Sequence, residues 1–154
     1  MKKYVYVGIG GFIGAISRVL IENLNLNNYY NGIIPIKTFF VNITGSFLLA
    51  AISIYFVEKM TRHLNIQLML CTGFAGAYTT FSTMCKEFWN IFSNGYYHQA
   101  VFYILFSIIA GFSSSVLGVY FGKYIIRKTS YNKNKTEDIH KVKDKLESEN
   151  IDNK

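Results

Sequence analysis

Hydrophobic positions in this chain come in long blocks rather than in stripes. Four stretches, at about 4–24, 33–57, 66–92 and 100–126, hold almost no ionisable side chains. Each reaches the ~20 residues that carry a helix across ~30 Å of hydrocarbon. A helix of a soluble bundle needs a polar stripe facing water, and these segments lack one. The pattern predicts an all-α membrane protein with four transmembrane helices. Aromatic residues crowd the block ends, among them Tyr4, Tyr6, Tyr29, Tyr30, Trp89, Tyr96, Tyr97 and Tyr124, as expected at bilayer interfaces. Lys2 and Lys3 precede the first block as in a signal peptide. Arg18 and Glu22 interrupt that reading, so the block is taken as a retained helix.

The third block is unusual at its middle, where it reads GAYTTFSTM, Gly76 to Met84. Glycine and hydroxyls at the midplane predict a helix broken near its centre. Irregular backbone survives at that depth only inside protein or beside a cavity. Such a break exposes carbonyls, and those of Gly76 and Thr79 suit a dehydrated cation. Beyond it, Phe81, Met84 and Phe88 share one helical face at i, i+3 and i+7. In the second block, Asn42 lies among Thr38, Thr44 and Ser46. Its amide serves either an interhelical hydrogen bond or a pore-lining donor. In the fourth block Tyr103, Ser107 and Ser113–Ser115 either bond their own helix or offer hydroxyls to an anion.

Charge adds orientation. The 154-residue chain has a net charge of +7. All of it falls on residues 1–128, since the tail 129–154 holds six lysines and six acids. The tail is polar, lacks a core-sized apolar face and is expected to be disordered. Seven Lys/Arg fall on the side of both termini against two, Lys37 and Lys86, on the other, with Arg18 ambiguous inside the first span. That bias predicts a multi-pass cell-membrane protein with cytoplasmic termini. It also explains the basic balance without a nucleic-acid partner.

Small residues recur at close-packing spacing: Gly10 and Gly14, Gly111 and Ser115, Gly118 and Gly122. They serve either packing within the chain or association between chains. Cys71 and Cys85 stand about 21 Å apart on one helix, too far to bridge. The three histidines lack metal-ligand spacing. No nucleophile–base constellation points to an enzyme. Glu22 and Glu87 lie toward span ends, and Glu58 lies in a loop. A proton-coupled four-helix multidrug exporter needs a buried acid in the first span, so it stays a secondary reading. A non-transporting assembly subunit is another.

GGFIGAISR (Gly10–Arg18), FFVNITGSFLLA (Phe39–Ala50) and GFAGAYTTFSTM (Gly73–Met84) resemble the three signatures of the CrcB/Fluc fluoride channel family, in the family's order. The resemblance covers about residues 3–128. It implies a fluoride-selective channel that exports toxic cytoplasmic fluoride passively, built as an antiparallel dimer with two pores. It implies a structural sodium ion on the carbonyls of Gly76 and Thr79. It places pore residues at Asn42, Phe81, Ser82, Thr83 and Ser107, with Glu87 just beyond and Arg18 matching the family's first-span arginine. Where the family has a second pore phenylalanine, this chain has Met84. Antiparallel homodimers need chains that insert both ways, and the charge bias favours one way. The partner is therefore either a second copy of this chain or an oppositely oriented sister subunit.

Overall fold

The computed structural model describes residues 2–23, 35–59 and 63–152, with side chains up to Tyr131. The connection between the first two blocks, with Tyr29 and Tyr30, lies outside the described residues, as does Arg62. All regular structure among the described residues is helical. Helix α1 runs Lys2–Glu22 and α2 runs Ile36–Lys59. The third apolar block is built in pieces: α3 (Leu64–Gln67), a π-helical stretch (Leu68–Ala75), α4 (Gly76–Tyr78) and α5 (Phe81–Ser93). Helix α6 begins at Tyr97.

Local sequence accounts for most boundaries. The single proline, Pro35, stands immediately before α2, where a missing N–H costs nothing. Helix α5 ends at Ser93, and the chain turns away at Gly95, whose φ of 86° only glycine adopts without strain. The Gly95 and Tyr96 amides donate back to the Phe92 and Ile91 carbonyls at 3.0 and 3.2 Å and close the helix end. Helices α1, α2 and α6 are long and apolar enough to cross a membrane. Their outward faces leave Phe12, Leu20, Phe102, Ile109 and Leu117 exposed. That inverts a soluble bundle and suits a lipid solvent.

The backbone of α6 stays helical to Asp152, through the segment for which the sequence predicts disorder. No Gly or Pro follows Gly122, and Glu137/Lys141 and Lys143/Glu147 stand at i, i+4. Both features favour helix.

Glycines decide how closely the helices approach. A Cβ on Gly10 would lie 2.0 Å from the Met69 carbonyl oxygen, and one on Gly14 would lie 2.3 Å from that of Phe74. From the facing side, a Cβ on Gly73 would lie 2.5 Å from the Val7 carbonyl oxygen. Helix α1 therefore lies backbone to backbone on the π-helical stretch. Gly118 and Gly122 do the same for α6 against α2, at Phe47 and at Ala51 with Ile54. Both GxxxG pairs thus serve packing within this chain.

Candidate functional site

The third block opens at Thr79 and Thr80. Thr79 has φ −75° and ψ 154°, and Thr80 has φ −146° and ψ 110°, both extended. Gly76, by contrast, keeps helical angles of −65° and −34°. The chain breaks at two β-branched residues, which favour extended backbone, rather than at the glycine.

Asn42 of α2 holds the break. The Thr80 N–H donates to Asn42 Oδ1 at 2.8 Å, and Asn42 Nδ2 donates to the Thr80 carbonyl at 3.1 Å. In an unbroken helix the Thr80 N–H would serve the Gly76 carbonyl. Its diversion to Asn42 releases that carbonyl, and Gly76 is exposed with nothing within 4 Å on its Cβ side. One amide proton of Asn42 remains beyond the Thr80 bond. Of the two uses predicted for Asn42, the interhelical bond is present.

Thr80 also starts α5. Its Oγ1 accepts from the Thr83 amide at 3.2 Å, the usual N-cap, and donates to Thr83 Oγ1 at 2.9 Å. Thr80 is a residue of the break that the sequence reading passes over. A threonine directly before an amphipathic run, with a second threonine three residues on, is the signal that marks it.

A cavity of about 360 Å³ opens beside the break. Asn42, Thr79, Phe81, Met84 and Ser107 line it, with Phe39 and Phe112. Five of the residues singled out from the sequence thus meet at one hollow, drawn from α2, the break, α5 and α6. Phe81 is 73% exposed at its mouth, while Met84 is 6% exposed and packs into a core with Ile91, Ala100 and Tyr103. The stripe predicted at 81, 84 and 88 therefore divides: Phe81 faces outward, and Met84 and Phe88 face the core. Ser107 donates to the Tyr103 carbonyl at 2.6 Å, and Ser113 bonds its own helix likewise. Ser114 instead reaches the Ile43 carbonyl of α2 at 2.8 Å.

The remaining predicted residues lie off this cavity. Ser82 is exposed on the first turn of α5, with Thr83 beside it. Arg18 is on α1, where its Nε stands 3.8 Å from Glu22 Oε1. Glu87, two turns beyond the break, joins three helices. Thr38 Oγ1 donates to one carboxylate oxygen at 2.6 Å, and the Tyr103 hydroxyl donates to the other at 2.8 Å. Both donors are only 2% exposed. Removing the acceptor leaves two buried hydroxyls unsatisfied, at ~1–3 kcal/mol each. Glu87→Ala is expected to lower stability more than Tyr103→Phe, which loses one bond worth about 1 kcal/mol. Thermal unfolding in detergent measures both, and equal losses contradict the bridge.

Comparison with known proteins agrees with the motifs. Residues 5–119 match the family described as CrcB-like protein, Camphor Resistance (CrcB). A protein of Hydrogenobaculum sp. named fluoride-specific ion channel FluC is 38% identical over 120 residues, covering 78% of this chain and 97% of the relative. One of Clostridium acetobutylicum named fluoride-specific ion channel FluC 2 is 41% identical over 122 residues, covering 79% and 96%. One of Azobacteroides pseudotrichonymphae, also named fluoride-specific ion channel FluC, is 36% identical over 118 residues, covering 77% and 94%.

Proposed function

The chain belongs to the CrcB family, and from that premise we propose that it is a fluoride-selective channel, a multi-pass membrane protein through which cytoplasmic fluoride leaves passively. The observation that carries the reading is the cavity at the Thr79–Thr80 break. There a fixed amide, an exposed ring and a helix start converge on one space inside an apolar segment.

Fluoride is small and strongly hydrated, so hydrogen-bond donors must replace the water it loses. Asn42 keeps one N–H free of the Thr80 bond, and its orientation is set by that bond. Helix α5 begins at the cavity, and the positive end of its dipole favours an anion. Phe81 can present its electropositive ring edge. Thr83 retains its own hydroxyl proton as a donor, since it accepts from Thr80. Ser107 must release the Tyr103 carbonyl to donate.

Four transmembrane crossings, the broken block being the third, and an antiparallel dimer complete this reading. Phe81 and Phe112, both 73% exposed at the cavity, leave one wall open for a partner. That partner is a second copy or a sister subunit of opposite orientation, with the termini of this chain cytoplasmic. The carbonyls of Gly76 and Thr79 fit a structural sodium ion, because the diverted Thr80 amide leaves Gly76 without its helical donor and Thr79 is extended. Two carbonyls are half a shell, so a facing copy would supply the other two. The ion's charge would hold these dipoles together, and it is not transported.

Purified protein in liposomes tests the reading. Fluoride efflux without chloride efflux is expected, and equal flux of both ions, or none, overturns it. In the same assay Met84→Phe is expected to keep or raise fluoride flux, because it restores a ring at the cavity wall. The larger side chain in a packed core is expected to lower stability by ~1–3 kcal/mol. Complete loss of flux in a folded Met84→Phe protein contradicts its place at the pore.

A further inference from the structure

A second hollow lies further along α2 and α6 and serves none of the chemistry above. It holds about 490 Å³ and is walled by Phe47, Ala51, Tyr55, Leu70, Phe121 and Ile125. The size suits a small-molecule ligand, and the lining is almost wholly apolar.

One end of the hollow is cationic. Thr129 lines it. The neighbouring Ser130 accepts a hydrogen bond from Lys59 Nζ, so that ammonium stands at the mouth. Lys59 follows Tyr55 by four residues and Lys128 follows Ile125 by three, which sets both on the faces that line the hollow. At the other end of the bundle Lys37 Nζ bonds the Glu22 carbonyl, so α1 begins where α2 ends. Lys2, Lys3, Lys59, Lys123, Arg127 and Lys128 therefore share this end, and Glu58 is the one acid there among the described residues up to Tyr131.

An apolar slot that opens under a cluster of one charge fits an amphiphile of the opposite charge. We propose that it seats an acyl chain of an anionic phospholipid, with the phosphate at Lys59 and Lys128. Basic residues at the membrane surface attract such headgroups, and the lysine stems stay in the apolar layer. A second copy fits less well. In parallel it would set six cations against six. In antiparallel it would bring up Arg18, Lys37 and Lys86 against Glu22 and Glu87, with no surplus of negative charge.

Native mass spectrometry of the full chain in neutral detergent tests this, with phosphatidylglycerol or phosphatidylcholine of matched chains added. Phosphatidylglycerol is expected to be retained more strongly. Lys59→Gln and Lys128→Gln are each expected to lower its retention about five-fold. Ile52→Trp, which fills the hollow, is expected to lower retention of both lipids in a protein whose unfolding temperature is kept. Equal retention of the two lipids, or no response to the double lysine variant, overturns the proposal. So does an Ile52→Cys protein that crosslinks to a second copy in the membrane.

Discussion

Replacing Asn42 with alanine is expected to abolish fluoride flux and to lower the unfolding temperature together. Asn42 is the element through which α2 closes the break: its carbonyl oxygen takes the Thr80 amide and its NH₂ serves the Thr80 carbonyl. Thr80 is only 6% exposed, so no solvent stands ready to replace either bond. Each backbone group left unsatisfied costs ~1–3 kcal/mol. The same substitution removes the free amide proton at the cavity. Two variants separate these roles. Asn42→Asp keeps the acceptor for Thr80 N–H but turns a carboxylate toward the Thr80 carbonyl, so flux should fail with part of the stability retained. Asn42→Ser should lose stability as alanine does, because its side chain is too short to reach both Thr80 groups. Unchanged melting and unchanged efflux in Asn42→Ala would falsify the assignment of this residue to the break.

Gly10→Ala is expected to be the most damaging Gly→Ala change among the described glycines. The added Cβ would lie 2.0 Å from the Met69 carbonyl oxygen and 2.9 Å from its carbon. Both obstacles are backbone, so no rotamer relieves them. Either α1 moves off the π-helical stretch or the stretch rewinds. Overpacking of a core by side chains alone costs ~1–3 kcal/mol, and a backbone clash exceeds that. Gly8→Ala is the internal control, because nothing lies within 4 Å of its Cβ position. Yield of folded protein in mild detergent and thermal unfolding compare the two. A Gly10→Ala protein that folds as well as Gly8→Ala contradicts the backbone contact between α1 and residues 69–74.

Much of this protein is legible in one dimension because the membrane simplifies the problem. Length and apolarity alone predict the helices that become α1, α2 and the first part of α6. The hydroxyl-rich centre of the third block announces its break, since polar backbone inside an apolar block has few explanations. Two details resist that logic. Gly76 and Thr79 look like the rupture together, yet Gly76 stays helical and the rupture falls at Thr79 and Thr80. A glycine permits a break without requiring one, whereas the diverted Thr80 amide needs a specific acceptor on another helix. Likewise Glu87 looks like a span-end acid, and only the placement of Thr38 and Tyr103 on either side makes it a joint between three helices.

The sequence by itself determined the apolar blocks, their number and the motifs that mark the family. These follow from composition and spacing along a single chain, which lipid reads directly. Tertiary structure alone decided which polar groups meet. Asn42 and Thr80 lie 38 residues apart, as do no pair that helical periodicity links. Whether an amide becomes a cap, a donor or both depends on what the facing helix brings to it. The glycines show the same division: their spacing is visible in the sequence, but their partners, α1 with residues 69–74 and α6 with α2, depend on which backbones pack. Hydrogen bonds and close contacts are pairwise and short in range, so they belong to the folded arrangement rather than to the pattern along the chain.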